Sequence, residues 1–293
     1  MSGLLLGASG QVGHELHKAL AIHLDLHAPD RRTLDLTDLD AVKRCLDHYR
    51  PQWVINAAAY TAVDQAETDT ATAFRLNAEL PGCLARYCAD HGALLTHYSS
   101  DYVYPGDGIR PWTEDSPTDP LSCYGQSKLA GDEAVLASRC DAQIFRTSWV
   151  YSARGNNFMK TMLRLGRERA SLAIVDDQVG APTPARLIAD VTLHGWQVYR
   201  SRPELTGLYH LAPRGFVSWY DFAREIFRLA RLHGLPLMLC DDQLSRLATK
   251  DYPTPAKRPP NSRLSVSRLE NAFDISLPDW RGQLSLTMKD YLR

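Results

Sequence analysis

The chain has 293 residues, 44% of them hydrophobic and 23% charged, with a net charge of −1. That balance excludes a disordered polypeptide, and the interspersed signs give no basic face for a nucleic-acid backbone, so nucleic acid is not an expected partner. Six scattered cysteines (Cys45, Cys83, Cys88, Cys123, Cys140, Cys240) make no C-x-x-C pair and no zinc-type spacing, and no window approaches the roughly 18 apolar residues of a membrane span; a cytoplasmic protein with free thiols and no membrane partner is expected.

From the N-terminus, Gly3–Leu6 reads as a strand, Gln11 to about Ile22 as a helix with Val12, Leu16, Ala19 and Leu20 on one face, and Leu24–Ala28 as a second strand. Asp38 can cap a helix carrying Leu39, Val42 and Leu46. The run from Trp53 to Ala59 reads as a buried strand ending in small residues. A helix near 70–90, a strand over 93–100, a helix from Gly125 to Ser138 and a strand from Gln143 to Ser148 continue the alternation. Such alternation predicts an α/β fold, a Rossmann-type doubly wound parallel sheet, with residues 1–148 as a dinucleotide-binding domain. Residues 149–293 read mainly as a smaller C-terminal substrate lobe containing an amphipathic helix from Trp219 to about His233. Because Leu208–Leu211 looks like a further sheet strand, the two parts are expected to interleave.

Gly7-Ala-Ser-Gly10-Gln11-Val12-Gly13 joins the first strand to the first helix. The first glycine frees the backbone to turn, Gly10 lets a pyrophosphate approach, and Gly13 lets helix and strand pack closely, while the helix N-terminus offers amide donors. Asp30, after the second strand, can accept from ribose hydroxyls. Arg31 and Arg32 could instead meet a 2′-phosphate, or form an ordinary solvated turn, so NADPH and NADH both stay open. Asp35 and Leu36 could lie beside the adenine. Ala57, Ala58, Ala59, Tyr60 and Thr61 would let a dinucleotide lie flat at the strand's carboxyl end.

Tyr124-Gly-Gln-Ser-Lys128 sets a phenol and an ammonium one helical turn apart, an arrangement in which the cation draws the phenol pKa down from about 10. Ser100 ends the preceding strand, where its hydroxyl could hold a substrate carbonyl while Tyr124 protonates it. Trp149 ends another strand at the same crevice and could wall it, whereas Trp219, Trp280 and His97 read as core residues. Lys257, Arg258 and Arg263 lie among prolines, as a solvated loop would.

With these motifs in place, the chain resembles the dTDP-4-dehydrorhamnose reductase family of extended short-chain dehydrogenase/reductases. Matching stretches are Gly7–Gly13, Asn56–Asp64, His97–Val103, Tyr124–Gly131, Phe145–Tyr151, Gly155–Phe158, Gly180–Thr183, Gly207–His210 and Arg258–Arg263. The resemblance implies that Gly10, Gln11, Val12, Asp30, Asp35, Leu36, Ala59, Tyr60, Thr61, Tyr124 and Lys128 hold NADPH or NADH. It implies that Ser100, Asp101 and Trp149 hold a dTDP-sugar and that Tyr124 donates the proton; the cations among the prolines gain a reading as diphosphate contacts. Ser100 stands where relatives often carry threonine, which keeps the hydroxyl.

Some family members bind Mg²⁺ through carboxylates at a dimer contact. Here Glu15 and Asp290 match but Arg186 replaces a glutamate, which speaks against Mg²⁺; a homodimer stays open, with Arg186 expected to pair with Glu15 or Asp290 across the interface. Two other readings share the pattern: a non-catalytic module resembling the regulatory β subunit of methionine adenosyltransferase, and a sibling nucleotide-sugar reductase or epimerase.

Overall fold

The computed structural model describes residues 1–293. Its centre is a six-stranded sheet of β1 (Ser2–Leu6), β2 (Asp25–His27), β3 (Trp53–Asn56), β4 (Leu94–Ser100), β5 (Ala142–Thr147) and the strand Gly207–His210. The spatial order is β2-β1-β3-β4-β5 followed by Gly207–His210, and every neighbouring pair is parallel. The helices are α1 (Gln11–Leu20), α2 (Leu39–Tyr49), α3 (Val63–Ala66), α4 (Thr70–Phe74), α5 (Leu80–His91), α6 (Cys123–Ser138), α7 (Phe158–Glu168), α8 (Ala185–Tyr199), α9 (Trp219–Leu232), α10 (Ser267–Phe273) and α11 (Trp280–Leu292).

A sheet covered on both faces needs apolar side chains pointing both ways, which is why its strands read as runs and not as alternations. Leu5, Ile55 and Phe145 face a layer made by Leu16 and Leu20 of α1, Ile188 and Trp196 of α8 and Phe273 of α10. Leu4, Leu6, Val54, Leu95 and Ile144 face Val42 and Leu46 of α2, Leu84 of α5 and Val135 of α6. A third core joins α7, α9 and α11 through Met159, Met162, Phe222, Phe227, Trp280 and Met288. The later half of the chain also re-enters the sheet layer: α8 packs along α1, and Gly207–His210 pairs with β5.

Asp38 caps α2 by accepting from Asp40 and Ala41 N–H at 3.0 Å each, a contact worth about 1 kcal/mol. Two expectations need correction. The strand read through Ala59 stops at Asn56, because the chain is turned out of the sheet by Asn77, whose amide accepts from Tyr60 N–H (2.9 Å) and donates to Tyr60 C=O (3.0 Å). The single helix read over 70–90 is α4, a wide π-turn at Arg75–Glu79, and α5. Pro81 lacks the N–H that would bond the Asn77 carbonyl four residues back, so the ladder loosens just where Asn77 is needed.

That carbonyl is covered by α6. A Cβ on Gly131 would lie 2.0 Å from Asn77 O, so only glycine lets the helices meet. Gly131→Ala is expected to lower unfolding free energy by about 1–3 kcal/mol in urea titration. Gly282→Ala in α11, where an added Cβ meets nothing within 4 Å, should leave stability unchanged or slightly raised.

Candidate active site

Chain order reverses between β1 and β3, which sit side by side although β2 lies outside β1; a crevice opens at such a switch above the strands' carboxyl ends. The glycine turn and the segment after β3 meet there. Gly7 has φ +81°, and a Cβ on it would lie 2.6 Å from Ala58 N; one on Gly13 would lie 2.1 Å from Gly7 O. At Gly10 a Cβ would meet only Gly7 O, at 3.3 Å, so the space above the turn is open. Close packing at Gly7 and Gly13 with room at Gly10 fits a dinucleotide diphosphate on the first turn of α1, beside Gln11 and Val12.

The side chain of Gln11 is engaged from across the crevice: its Oε1 accepts from Asn157 Nδ2 (2.9 Å) and the Ser152 hydroxyl (3.1 Å). Asp30 Oδ1 accepts from Arg32 N–H (2.9 Å), Thr33 N–H (3.0 Å) and the Thr33 hydroxyl (3.2 Å), bonds that hold its carboxyl below the usual range. Neither Arg31 nor Arg32 has an acid within ion-pair distance. Asp35 turns its carboxylate onto Thr37, and Leu36 packs beneath it against the α2 layer. Ala58, Ala59 and Tyr60 are partly buried and Thr61 is exposed along the rim.

The chemical end is built on α6. Ser122 caps that helix through Gly125 N–H (3.2 Å), and a Cβ on Gly125 would lie 2.3 Å from Tyr102 O, so the helix start is pressed onto the segment after β4. Ser100 donates to Asp101 Oδ1 at 3.1 Å, and the Tyr102 ring meets the Tyr124 ring edge-on at 5.4 Å. Burial pushes the Tyr124 phenol up to about 12; the Ser100 hydroxyl pulls it down, and the Asp101 and Asp132 carboxyls push it further up. This differs from the expected lowering by Lys128, and the physical reason is that Lys128 is held elsewhere: its Nζ donates to Tyr98 C=O at 2.6 Å. Burial lowers the lysine itself to about 8, against the attraction of Asp132.

His97 is fully enclosed with two polar neighbours, Asn56 Nδ2 at 3.2 Å from Nδ1 and Lys128 Nζ at 3.5 Å from Nε2. Beyond Lys128, Asp132 Oδ2 accepts from Arg146 Nε (2.9 Å), and Arg146 donates to Tyr104 Oη (2.8 Å), which contacts His210 Nε2 at 2.6 Å. Sequence reasoning gave no site role to Asn56, Asn77 or Asn157, although Asn56 and Asn157 fall in stretches that match the family. Two of these carried a signal: Asn56 breaks an apolar strand at its last residue, and Asn77 lies four residues before a proline.

Trp149 has φ +49° and stacks on Trp219 at 3.6 Å, with Gly180 so near that a Cβ there would lie 2.8 Å from the Trp149 ring. Trp149 and Trp219 are both half-buried, while Trp280 lies in the core. Arg258 forms a two-pronged pair with Asp64 (2.8 and 3.0 Å), whereas Arg263 donates to the neutral Asn261 Oδ1 at 3.0 Å. Arg186 lies 3.8 Å from Asp190 and 3.7 Å from Asp290 of its own chain, because Thr183–Pro184, at the start of α8, lies against α11. The pairing with Asp290 expected between chains is thus made within one, and a guanidinium among these carboxylates does not fit a hard cation.

The whole chain, residues 1–293, matches the family model described as the RmlD substrate binding domain. A dTDP-4-dehydrorhamnose reductase of Escherichia coli K12 is 46% identical over 286 residues, covering 96% of this chain and 95% of that protein. Among solved structures, a dTDP-4-dehydrorhamnose reductase of Clostridium acetobutylicum superposes with a TM-score of 0.91 at 37% identity, covering 100% of both chains. One from Bacillus anthracis, in complex with NADP, gives 0.90 at 32% identity and covers 99% of this chain and 100% of that one.

Asp101 is 2% exposed, and burial raises its carboxyl from 3.8 to about 6, opposed by the Ser262 and Ser100 hydroxyls. A folded-state pKa above the unfolded one means the folded chain binds the extra proton more tightly between those values. Its contribution to stability is greatest below about pH 4 and is lost as pH rises through about 6, a change of about 3 kcal/mol. Asp101→Asn should flatten this slope: denaturation across pH 4–7 is expected to show the variant gaining on the parent as pH rises.

Proposed function

This chain belongs to the RmlD substrate-binding-domain family of dTDP-4-dehydrorhamnose reductases, and on that premise we propose that it reduces the 4-keto group of dTDP-4-dehydro-L-rhamnose with NADPH or NADH. The product, dTDP-L-rhamnose, would serve cell-surface polysaccharide synthesis. The reading is supported chiefly by one observation: the open glycine turn follows β1 and Ser100 ends β4, so both lie at the carboxyl ends of parallel strands with only β3 between them, with the half-buried Tyr124 and the buried Lys128 on the helix tied to β4. Residues 1–148 hold the dinucleotide in this reading and residues 149–293 mainly the sugar nucleotide. A cytoplasmic location accords with six free thiols. Any homodimer would be joined without Mg²⁺, since Arg186 occupies the acidic cluster.

When bound, the reduced nicotinamide supplies the hydride taken up by C4 of the sugar. The protein's part is to bind, orient and protonate. Glycines 7, 10 and 13 and the amides of Gln11 and Val12 receive the diphosphate, Asp30 or the arginines after it meet the adenosine ribose, and residues 58–61 line the flat of the dinucleotide. Ser100 donates to the keto oxygen and Trp149 borders the sugar. Tyr124 then releases its proton to that oxygen as negative charge builds there. A phenol held up to about 12 keeps its proton at neutral pH, which is the form a reduction needs. Lys128 contributes by stabilising the phenolate left behind, a role that grows only as the proton departs.

Tyr124→Phe is expected to cut turnover by about 10²–10⁴-fold while NADPH still binds by fluorescence titration; equal rates in variant and parent would refute the assignment. Asp30→Ala should weaken NADH more than NADPH in the same titration, since the unpaired Arg31 and Arg32 remain to meet a 2′-phosphate.

A further inference from the structure

We propose that Asn56 and His97 form a buried positioning pair that loosens the proton on Lys128. The inference deepens the reductase reading and rests on it for its catalytic meaning, though not for its geometry.

The two residues are direct partners in the parallel pairing of β3 and β4, on the face toward α6. Asn56 is 1% exposed and His97 1%. Ala58 N–H donates to Asn56 Oδ1 at 3.3 Å, which turns the Nδ2 donor of that amide toward His97 Nδ1, 3.2 Å away. Nδ1 must then accept. A neutral imidazole carries one proton, so the proton sits on Nε2, and that nitrogen is 3.5 Å from Lys128 Nζ. Two donors face one another with no acceptor between them. A neutral amine removes the conflict, because its lone pair accepts from Nε2–H while it still donates to Tyr98 C=O. The ammonium is accommodated only if His97 moves its proton to Nδ1 and Asn56 flips, and the flip forfeits the bond from Ala58.

Charge on Lys128 is therefore tied to the orientation of one amide, and through Ala58 to the segment packed on Gly7. Other groups also surround the lysine. On α6, Tyr124 lies one turn before it and Asp132 one turn after; the Asp132 carboxylate favours the ammonium but is shared with Arg146 of β5. From β4 come His97, the Tyr98 carbonyl and Ser99, and from the segment after β4 the Asp101 carboxyl. The π-turn contributes only the neutral Asn77, bonded to Ser127. Among these, His97 is the one group whose ring proton can either oppose the ammonium or withdraw from it. Burial holds His97 well below its ordinary pKa, with the Lys128 charge adding to the effect, so a protonated imidazolium does not complicate the choice.

In the reaction the pair has a defined consequence. A lysine whose ammonium is only just favoured responds strongly to charge appearing on Tyr124, so its help to the phenolate is concentrated in the step that creates it.

The test uses the full-length protein without cofactor. Nitrogen-15 NMR of the histidines should show His97 neutral and protonated on Nε2 above the Lys128 midpoint; a ring protonated on Nδ1 there overturns the proposal. Carbon-13 NMR of labelled lysine follows the Lys128 titration directly. In His97→Gln the amide can turn its oxygen to the ammonium, and the midpoint should rise by about one pH unit, tenfold in the dissociation constant, with the alkaline limb of kcat moving the same way. An unchanged or lowered midpoint overturns it. If His97→Gln does not fold, the tautomer of the unaltered protein still decides. Both NMR readouts stand apart from turnover: a chain that never oxidised NADPH with a dTDP-4-keto sugar would refute the reductase reading and leave these results interpretable.

Discussion

The site depends on a contact that contains no side chain. Gly7, at positive φ, lies against the backbone of Ala57 and Ala58, and Gly13 lies against the carbonyl of Gly7, at distances that a methyl group on either glycine would violate. The contact fixes where α1 begins relative to the end of β3, and hence where amide donors point and where the crevice floor runs. Loops 152–157, through Gln11, and 57–61, through Asn77, are registered on that core. A larger residue at either glycine would move the frame from which both sides of the crevice are hung.

On the other side of the sheet the structure takes a different course and buries charge. Lys128, Asp132 and Arg146 are each at most 3% exposed, together with His97 and His210. Charges taken out of water cost several kcal/mol unless they are paired, and leaving one partner alone costs about 3–5 kcal/mol. Arg146 and Asp132 are paired with good geometry. Lys128 is not fully compensated, and its lowered pKa is the mark of that. Poise of this kind is common where a group must change its charge state in use, and it places a functional demand on a helix that packing alone would fill with leucine.

Much of this was legible in the residues themselves. Runs buried on both faces, a glycine turn at residue 7, the Asp38 cap and the Tyr124–Lys128 spacing each state a local constraint, and the chain obeys them. What the residues withheld was set by contacts far apart in sequence. Ala57–Ala59 prolongs the apolar run of β3, but Asn77 turns it away. The segment 70–91 has helical periodicity, yet Pro81 and the approach of Gly131 widen it. Spacing alone suggests that Lys128 lowers the Tyr124 phenol, but the lysine is bonded to the Tyr98 carbonyl and burial sets the phenol high. Arg186 was readable as a misfit among acids, but which acid it meets depends on how α8 and α11 are brought together.

Helix α8, the strand Gly207–His210 and helix α10 return to the sheet one after another, the strand some sixty residues after β5 has ended. While the polypeptide is being synthesised, β5 stays an open edge and the apolar face holding Leu5, Leu16, Ile55 and Phe145 lies bare until those later pieces emerge from the ribosome. Unpaired edges and bare apolar faces are sticky. The nascent chain thus carries a window of vulnerability that closes only when the segment through Phe273 has been made.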